Sequence, residues 1–106
     1  MIKIFISQPM NGLSDGQIFK ARTEAWRSIR EEMGQDVHFV GSMMQACLRD
    51  DVPSRVKNSP LWLLGESIKM LAEADAAYFL DGWADSNECI IEHVACKLYG
   101  IDIIKD

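Results

Sequence analysis

An α/β domain built on a parallel sheet is the fold class that this chain of 106 residues predicts. Three observations carry that expectation. The runs IKIFI, VHFV, AAYFL and IDII are short and read as strands; IKIFI and AAYFL are nearly uninterrupted in apolarity, and IKIFI suits a strand buried on both faces. Three other segments repeat apolar residues at helical spacing behind capping signals. The two kinds of segment alternate along the chain, which is the pattern of successive strand–helix–strand units.

Taken in order, Ile2 to Ile6 form the first strand, and SQPMNG follows with the turn formers Pro9, Asn11 and Gly12. Ser14 and Gln17 make a capping box for a helix whose apolar stripe is Ile18, Ala21, Ala25, Ile29 and Met33. Gly34 stops that helix, and Val37 to Val40 read as the second strand. From Gly41 to Ser59 the pattern loosens into a long loop with a helical turn at Met43 to Leu48; loops of this length are commonly functional or mobile. Ser59-Pro60 opens a second helix with the stripe Leu61, Leu64, Ile68, Leu71 and Ala72, interrupted by Gly65. Ala76 to Leu80 give a third strand. A third helix starts near Ser86 with Ile91, Val94, Ala95 and Leu98 as its buried stripe, beside Ile90, and Gly100 stops it. Ile101 to Ile104 supply the last strand. The expected architecture is one domain over 1–106, with four or five parallel strands and helices on both faces.

Composition narrows the partners. The net charge is -5 and no basic stripe appears, which argues against polymeric nucleic acid. Cys47, Cys89 and Cys96 are odd in number and lack metal-ligand spacing, so a reducing compartment and no metal or other cofactor are expected. MIKIFIS lacks the apolar core of a secretory signal, and no apolar run approaches the ~18 residues of a membrane span. A cytoplasmic protein without membrane association is the expectation. With 48% hydrophobic residues and three tryptophans on so small a domain, apolar helix surface is left to cover, and a homo-oligomer is predicted.

Ligands of open parallel sheets bind beyond the carboxyl ends of the strands. Two chemically suggestive segments fall there: SQPMNG after the first strand and DGWADSNE after the third. Helix N-termini at that edge suit an anionic group such as a phosphate. SQPMNG holds one glycine, so it is neither a Walker loop nor a dinucleotide fingerprint. Among the acids, Glu88 fits the first helical turn, where it favours the dipole, and Asp85 fits a cap. Glu92 lies at the margin of the buried stripe, sharing a face with Cys96 and Tyr99, and reads equally as a solvated flank or as a carboxylate facing the crevice. His93 and His38 read as packing or surface residues, and Trp26 as packing its helix onto the sheet. Trp83, in the loop itself, is placed either to pack or to stack on a base or sugar, and Met10 could line the pocket.

ISQPMNG, PLWLLGESIKML and ADAAYFLDGWADSNECIIEHVACKLYGIDII, in that order and across essentially the whole chain, resemble the nucleoside 2-deoxyribosyltransferase-like superfamily, most closely its small branch of phages and bacteria. The resemblance implies a flavodoxin-like three-layer fold and chemistry at the N-glycosidic bond of a nucleoside or its monophosphate. It implies Glu92 as the nucleophile, with Asp85 holding sugar hydroxyls or tuning that glutamate. Ser7, Gln8, Pro9, Met10 and Gly12 would border the sugar or its phosphate, and Gly82, Trp83, Ser86 and Asn87 would complete the substrate site. It also implies a homo-oligomer, since sites in the family are often completed across subunits. A fixed carboxylate stabilises the oxocarbenium character that develops at the anomeric carbon and can trap it covalently. The chain departs from the family at Asn87, Glu88 and Cys89, where glycine or a small residue is usual, and Glu88 would bring a second negative charge to the sugar. Full-length transferases carry further C-terminal sequence, which makes hydrolysis, or a catalytically inactive nucleotide-binding or sensing module, competitive with transfer.

Overall fold

A computed structural model describes residues 1–41 and 52–106; the helical turn expected at Met43 to Leu48 and the third cysteine, Cys47, fall outside the described residues. Strand β1 (Ile2–Ser7) leads through the SQPMNG loop into helix α1 (Asp15–Met33), and strand β2 (Val37–Gly41) follows. Helix α2 (Ser59–Leu71), strand β3 (Ala76–Phe79), a 3-10 turn (Trp83–Asp85), helix α3 (Asn87–Tyr99) and strand β4 (Asp102–Lys105) complete the described elements. The four strands form one all-parallel sheet in the order β2-β1-β3-β4. Helices cover both faces, which makes this a flavodoxin-like α/β fold, with the strand order reversing between β1 and β3.

Side chains alternate across β1, and the alternation divides the core. Ile4 and Ile6 point to the α1 face and pack with Ala25, Ile29, Val37, Ala76 and Leu80. Phe5 points to the other face and packs with Leu71, Ala77, Phe79 and Cys96, beneath α2 and α3. Ser7 has the same parity as Phe5. The end of β1 therefore presents a hydroxyl to the two helices whose N-termini lie beside it.

Local signals set the helix starts. Ser14 accepts from the Gln17 backbone N–H at 3.2 Å while the Gln17 side chain accepts from the Ser14 N–H at 2.9 Å, closing the capping box. The cap of α2 is one residue earlier than expected: Asn58 accepts from the Leu61 N–H at 3.0 Å, and Ser59 and Pro60 are already helical. Ser86 caps α3, accepting from the Cys89 N–H at 3.4 Å; Asp85, expected as a cap, ends the preceding 3-10 turn.

The inward face of α3 is a correction. Ile91, Val94, Ala95 and Leu98 were expected to be its buried stripe, yet Ile91, Val94 and Leu98 are exposed, and the buried residues are Cys89, Glu92 and Cys96. Cys89 sits in the turn held by the Ser86 cap, and inward positions recur three residues later, at Glu92, and four beyond that, at Cys96. That phase gives the Glu92 carboxylate two hydrogen bonds, whereas the opposite phase would leave it in solvent. Free thiols are themselves among the most readily buried side chains. On α2 the stripe is shifted in a milder way: Leu64 and Leu71 are buried as expected, Leu61 and Ala72 are exposed, and Ser67 takes an inward place between the two leucines.

Candidate functional site

Three elements meet at one carboxylate. Ser7 Oγ, at the end of β1, donates to Glu92 Oε1 at 2.6 Å, and Ser67 Oγ, from the middle of α2, donates to Glu92 Oε2 at 2.6 Å. Glu92 is 2% exposed. Burial pushes its carboxyl up to about 7, against the two serine hydrogen bonds that pull it down, and the charge of Glu88 adds to the rise. A carboxyl at that value changes its charge near neutrality, which an ordinary surface glutamate does not. Its neighbours stay protonated: burial raises the Cys89 thiol and takes that of Cys96 to about 11.

At the carboxyl edge of the sheet lies a cleft of about 480 Å³. The β1–α1 loop lines it with Gln8, Met10, Asn11, Gly12 and Leu13, and the first turns of α1 and α2 add Asp15, Ile18, Ser59, Pro60 and Leu63. The head of α3 adds Ser86 and Glu88. All three helix N-termini thus open onto one space. Glu92 lies one helical turn beyond Glu88 and is not among the residues that line the cleft.

The loop is held from behind. Arg22 is 2% exposed, and its Nη1 donates to Gln8 Oε1 at 2.9 Å, while Gln8 Nε2 donates to the Ile18 carbonyl at 2.7 Å. Burial lowers the Arg22 guanidinium to about 10. Among the described residues it forms no ion pair, and its Nε has no hydrogen-bond partner. The cation is instead near the face of Trp26, 5.8 Å from the ring centroid. Trp26 stacks on Phe39 and packs α1 against the sheet.

The predicted site residues divide into groups. Gln8, Met10, Gly12 and Ser86 line the cleft, and Ser7 and Glu92 are hydrogen-bonded to each other but are not among its lining residues. Pro9 lines a smaller hollow of about 260 Å³ on the α1 side of the sheet, with Tyr78, Asp81 and Lys105. Gly82 approaches Pro9 but does not reach the cleft, and Asp85 and Asn87 are exposed outside it. Asp85 is therefore not placed to hold a sugar in this space. Trp83 is engaged elsewhere: its ring stacks on His93 with centroids 4.2 Å apart, and its Nε1 donates to the Asp106 carbonyl at 3.2 Å. His93 Nε2 and Asp106 Oδ2 are 2.9 Å apart, and His93 also meets the Phe79 ring edge-on. The packing reading of Trp83 and His93 is the one the geometry supports.

Sequence reasoning missed Ser67 and Arg22; Glu88, read from the pattern as a dipole acid and through the resemblance as a second charge near the sugar, does line the cleft. A signal for the first two existed: each is a polar residue standing in the apolar row of its helix. Ser67 falls between Leu64 and Leu71, and Arg22 between Ile18 and Ala25 at the 3.6-residue period. Among the described residues no cluster of three His, Cys, Asp or Glu side chains is arranged to hold a metal, and no helix is long and apolar enough to cross a membrane. No family model, curated protein or solved structure matches the chain.

Proposed function

We propose that the cleft takes a nucleoside and that Glu92 is the nucleophile in cleavage or transfer at its N-glycosidic bond. The observation that carries this reading is the Ser7–Glu92–Ser67 arrangement, a buried carboxylate with a raised pKa at the strand-order reversal of a parallel sheet, next along the chain to residues that line a cleft, Gln8 and Glu88. In the first step a Glu92 oxygen bonds to the anomeric carbon as the bond to the base nitrogen breaks, and the base leaves with that electron pair and takes up a proton. In the second step water, or the nitrogen of another base, displaces the carboxylate, so the configuration is retained overall. Ser67 keeps one carboxylate oxygen fixed while Ser7 releases the other for attack.

The cleft also favours the uncharged member of the substrate pair. Asp15 and Glu88 are the charged residues lining it among the described residues, and their repulsion of a phosphate works against the attraction of the three helix N-termini. Both suit ribose or deoxyribose hydroxyls, which donate hydrogen bonds to carboxylates. A nucleoside therefore fits better than its monophosphate.

One observation favours a second reading, a binding module without turnover. Both Glu92 oxygens are occupied by serine hydroxyls and the residue is 2% exposed, so the same arrangement serves as a strut between α2, α3 and β1. The two readings separate with a panel of ribo- and deoxynucleosides and their monophosphates, assayed for released base and, in parallel, for binding. On the leading reading the parent releases base, and Glu92→Gln loses at least about a thousandfold in rate while still binding the nucleoside. Saturable binding without release in the parent establishes the second reading, and Glu92→Gln activity near the parent level removes Glu92 as nucleophile.

A further inference from the structure

Arg22 breaks the pattern of its helix. Position 22 belongs to the row of Ile18, Ala25 and Ile29, of which Ala25 and Ile29 lie in the core against the sheet. An aliphatic side chain would meet the needs of that row, yet the chain places a guanidinium there, 2% exposed. Arginine is rarely buried this far without a carboxylate beside it, because nothing else replaces the water that solvated the charge. Among the described residues Arg22 has no such carboxylate and its Nε finds no acceptor, while the Trp26 face compensates only in part. Compared with an apolar side chain of similar length, Arg22 makes the fold less stable.

What the cation does hold is one amide. Its Nη1 donates to Gln8 Oε1 at 2.9 Å, and Gln8 Nε2 donates to the Ile18 carbonyl at 2.7 Å. Exchanging the two ends of the amide would set an NH2 against the guanidinium and an oxygen against the carbonyl, so the pair of bonds admits a single orientation. Gln8 follows Ser7 in the chain, and Gln8 and Leu13 are common to the linings of the cleft and of the 260 Å³ hollow. These two side chains are therefore the partition between the two spaces, and Arg22 fixes that partition from the core side.

We infer that Arg22 is a positioning residue, kept in the core at the expense of stability so that Gln8 stays fixed as a wall of the cleft, a role that rests on the cleft being the ligand site proposed above and not on the chemistry of Glu92. Violations of local pattern of this kind concentrate where function requires them.

Arg22→Met keeps the length and bulk of the side chain and removes its charge and donors. Gln8, released, turns its amide to solvent in the cleft, so thermal melts give a midpoint at or above that of the parent. The Leu13 N–H, which donates to the Met10 carbonyl at 3.2 Å inside the loop, exchanges with solvent about tenfold faster in the variant, while amides of β1 and β3 keep their rates. Nucleosides bind about ten- to a hundredfold more weakly. Where base is released, that loss falls on KM and leaves kcat near the parent value, since Glu92 and its two serines are untouched. Gln8→Leu weakens binding to the same extent, and adding Arg22→Met to it changes nothing further, because Arg22 acts through Gln8. Arg22→Lys, which keeps a cation and a donor on a flexible stem, recovers part of the Leu13 protection and of the binding lost in Arg22→Met.

An Arg22→Met midpoint well below the parent's overturns this role and makes Arg22 an ordinary core residue. Unchanged exchange at Leu13, or losses that add in the double variant, overturn it as well. Exchange at Leu13 needs no ligand, so it separates the two readings: faster exchange in Arg22→Met beside a parent that binds no nucleoside supports the positioning of the loop and removes the proposed ligand.

Discussion

At the scale of the residue, the protein is organised around polar groups taken out of water. The folded-state Glu92 carboxyl sits at about 7 against an ordinary value of 4.5, so the native state holds its proton more tightly than the unfolded chain. Its contribution to stability is therefore fully present below about 4.5, falls as the pH rises toward about 7, and is gone above that. A shift of this size corresponds to at most roughly 3–4 kcal/mol. Thermal melts of the parent between about pH 5 and pH 8 should show the midpoint descending with pH, whereas Glu92→Gln should show a much flatter profile. A parent profile as flat as the variant's would mean that the carboxyl is not desolvated in solution. Ser67→Ala leaves Oε2 without its donor and should cost about 1–3 kcal/mol. It should also move the Glu92 titration upward, since the lost bond favoured the ionised form; melts and a carboxyl-detected NMR titration check the two effects.

At the scale of the element, each strand and helix ends where a backbone requirement is met, and two glycines show opposite consequences. Gly41 closes β2 at φ +127°, a conformation that only glycine adopts at little cost, and a Cβ there would run into the Ile6 carbonyl oxygen of β1. Gly41→Ala should destabilise by at least about 2 kcal/mol, because both the backbone and the β1–β2 pairing must give way. Gly65 lies inside α2 with nothing within 4 Å of an added Cβ. Gly65→Ala should stabilise by about 0.5–1 kcal/mol through the higher helix propensity of alanine. Denaturant titrations of the two variants against the parent check both signs. The same scale explains α3: Ser86 sets its phase, and that phase carries Glu92 inward and Ile91, Val94 and Leu98 outward.

At the scale of the whole molecule, β1 is the strand on which everything converges. It pairs with β2 on one side and β3 on the other, holds Ile4, Phe5 and Ile6 fully buried, and ends at the serine that meets Glu92. β4 is an edge strand, pairs with β3 alone, and does so through a register irregularity between Ala77 and Tyr78. Hydrogen exchange should therefore find the slowest amides in β1 and its partners in β3, opening only with global unfolding, and markedly faster ones in β4. Equal protection of β4 and β1 would contradict this ranking. The cleft lies above the best-protected strand, on loops and first helical turns, so a rigid base carries an adaptable rim.

Several features were determined by the sequence alone. IKIFI and AAYFL are apolar enough for strands buried on both faces, and their alternation with amphipathic helices points to a parallel sheet covered above and below. Ser14 with Gln17, Ser86, Gly34 and Gly100 set helix boundaries through hydrogen bonds and backbone freedom that are local to each segment, and the structure reproduces them. The position of the cleft followed from strand order at the carboxyl edge, and Gln8, Met10, Gly12 and Ser86 were legible for that reason. What only the tertiary structure decided is which way polar residues face. Ser7, Ser67 and Glu92 come from three elements up to 85 residues apart in sequence, and no local pattern says that they share hydrogen bonds. Without those partners Glu92 belongs at a solvated margin and Ile91, Val94 and Leu98 belong inside, which is the reading that hydrophobicity alone supports. The buried serine–carboxylate contacts reverse it, because a carboxylate can leave water only where hydrogen bonds replace water's, and the aliphatic stripe is left facing outward.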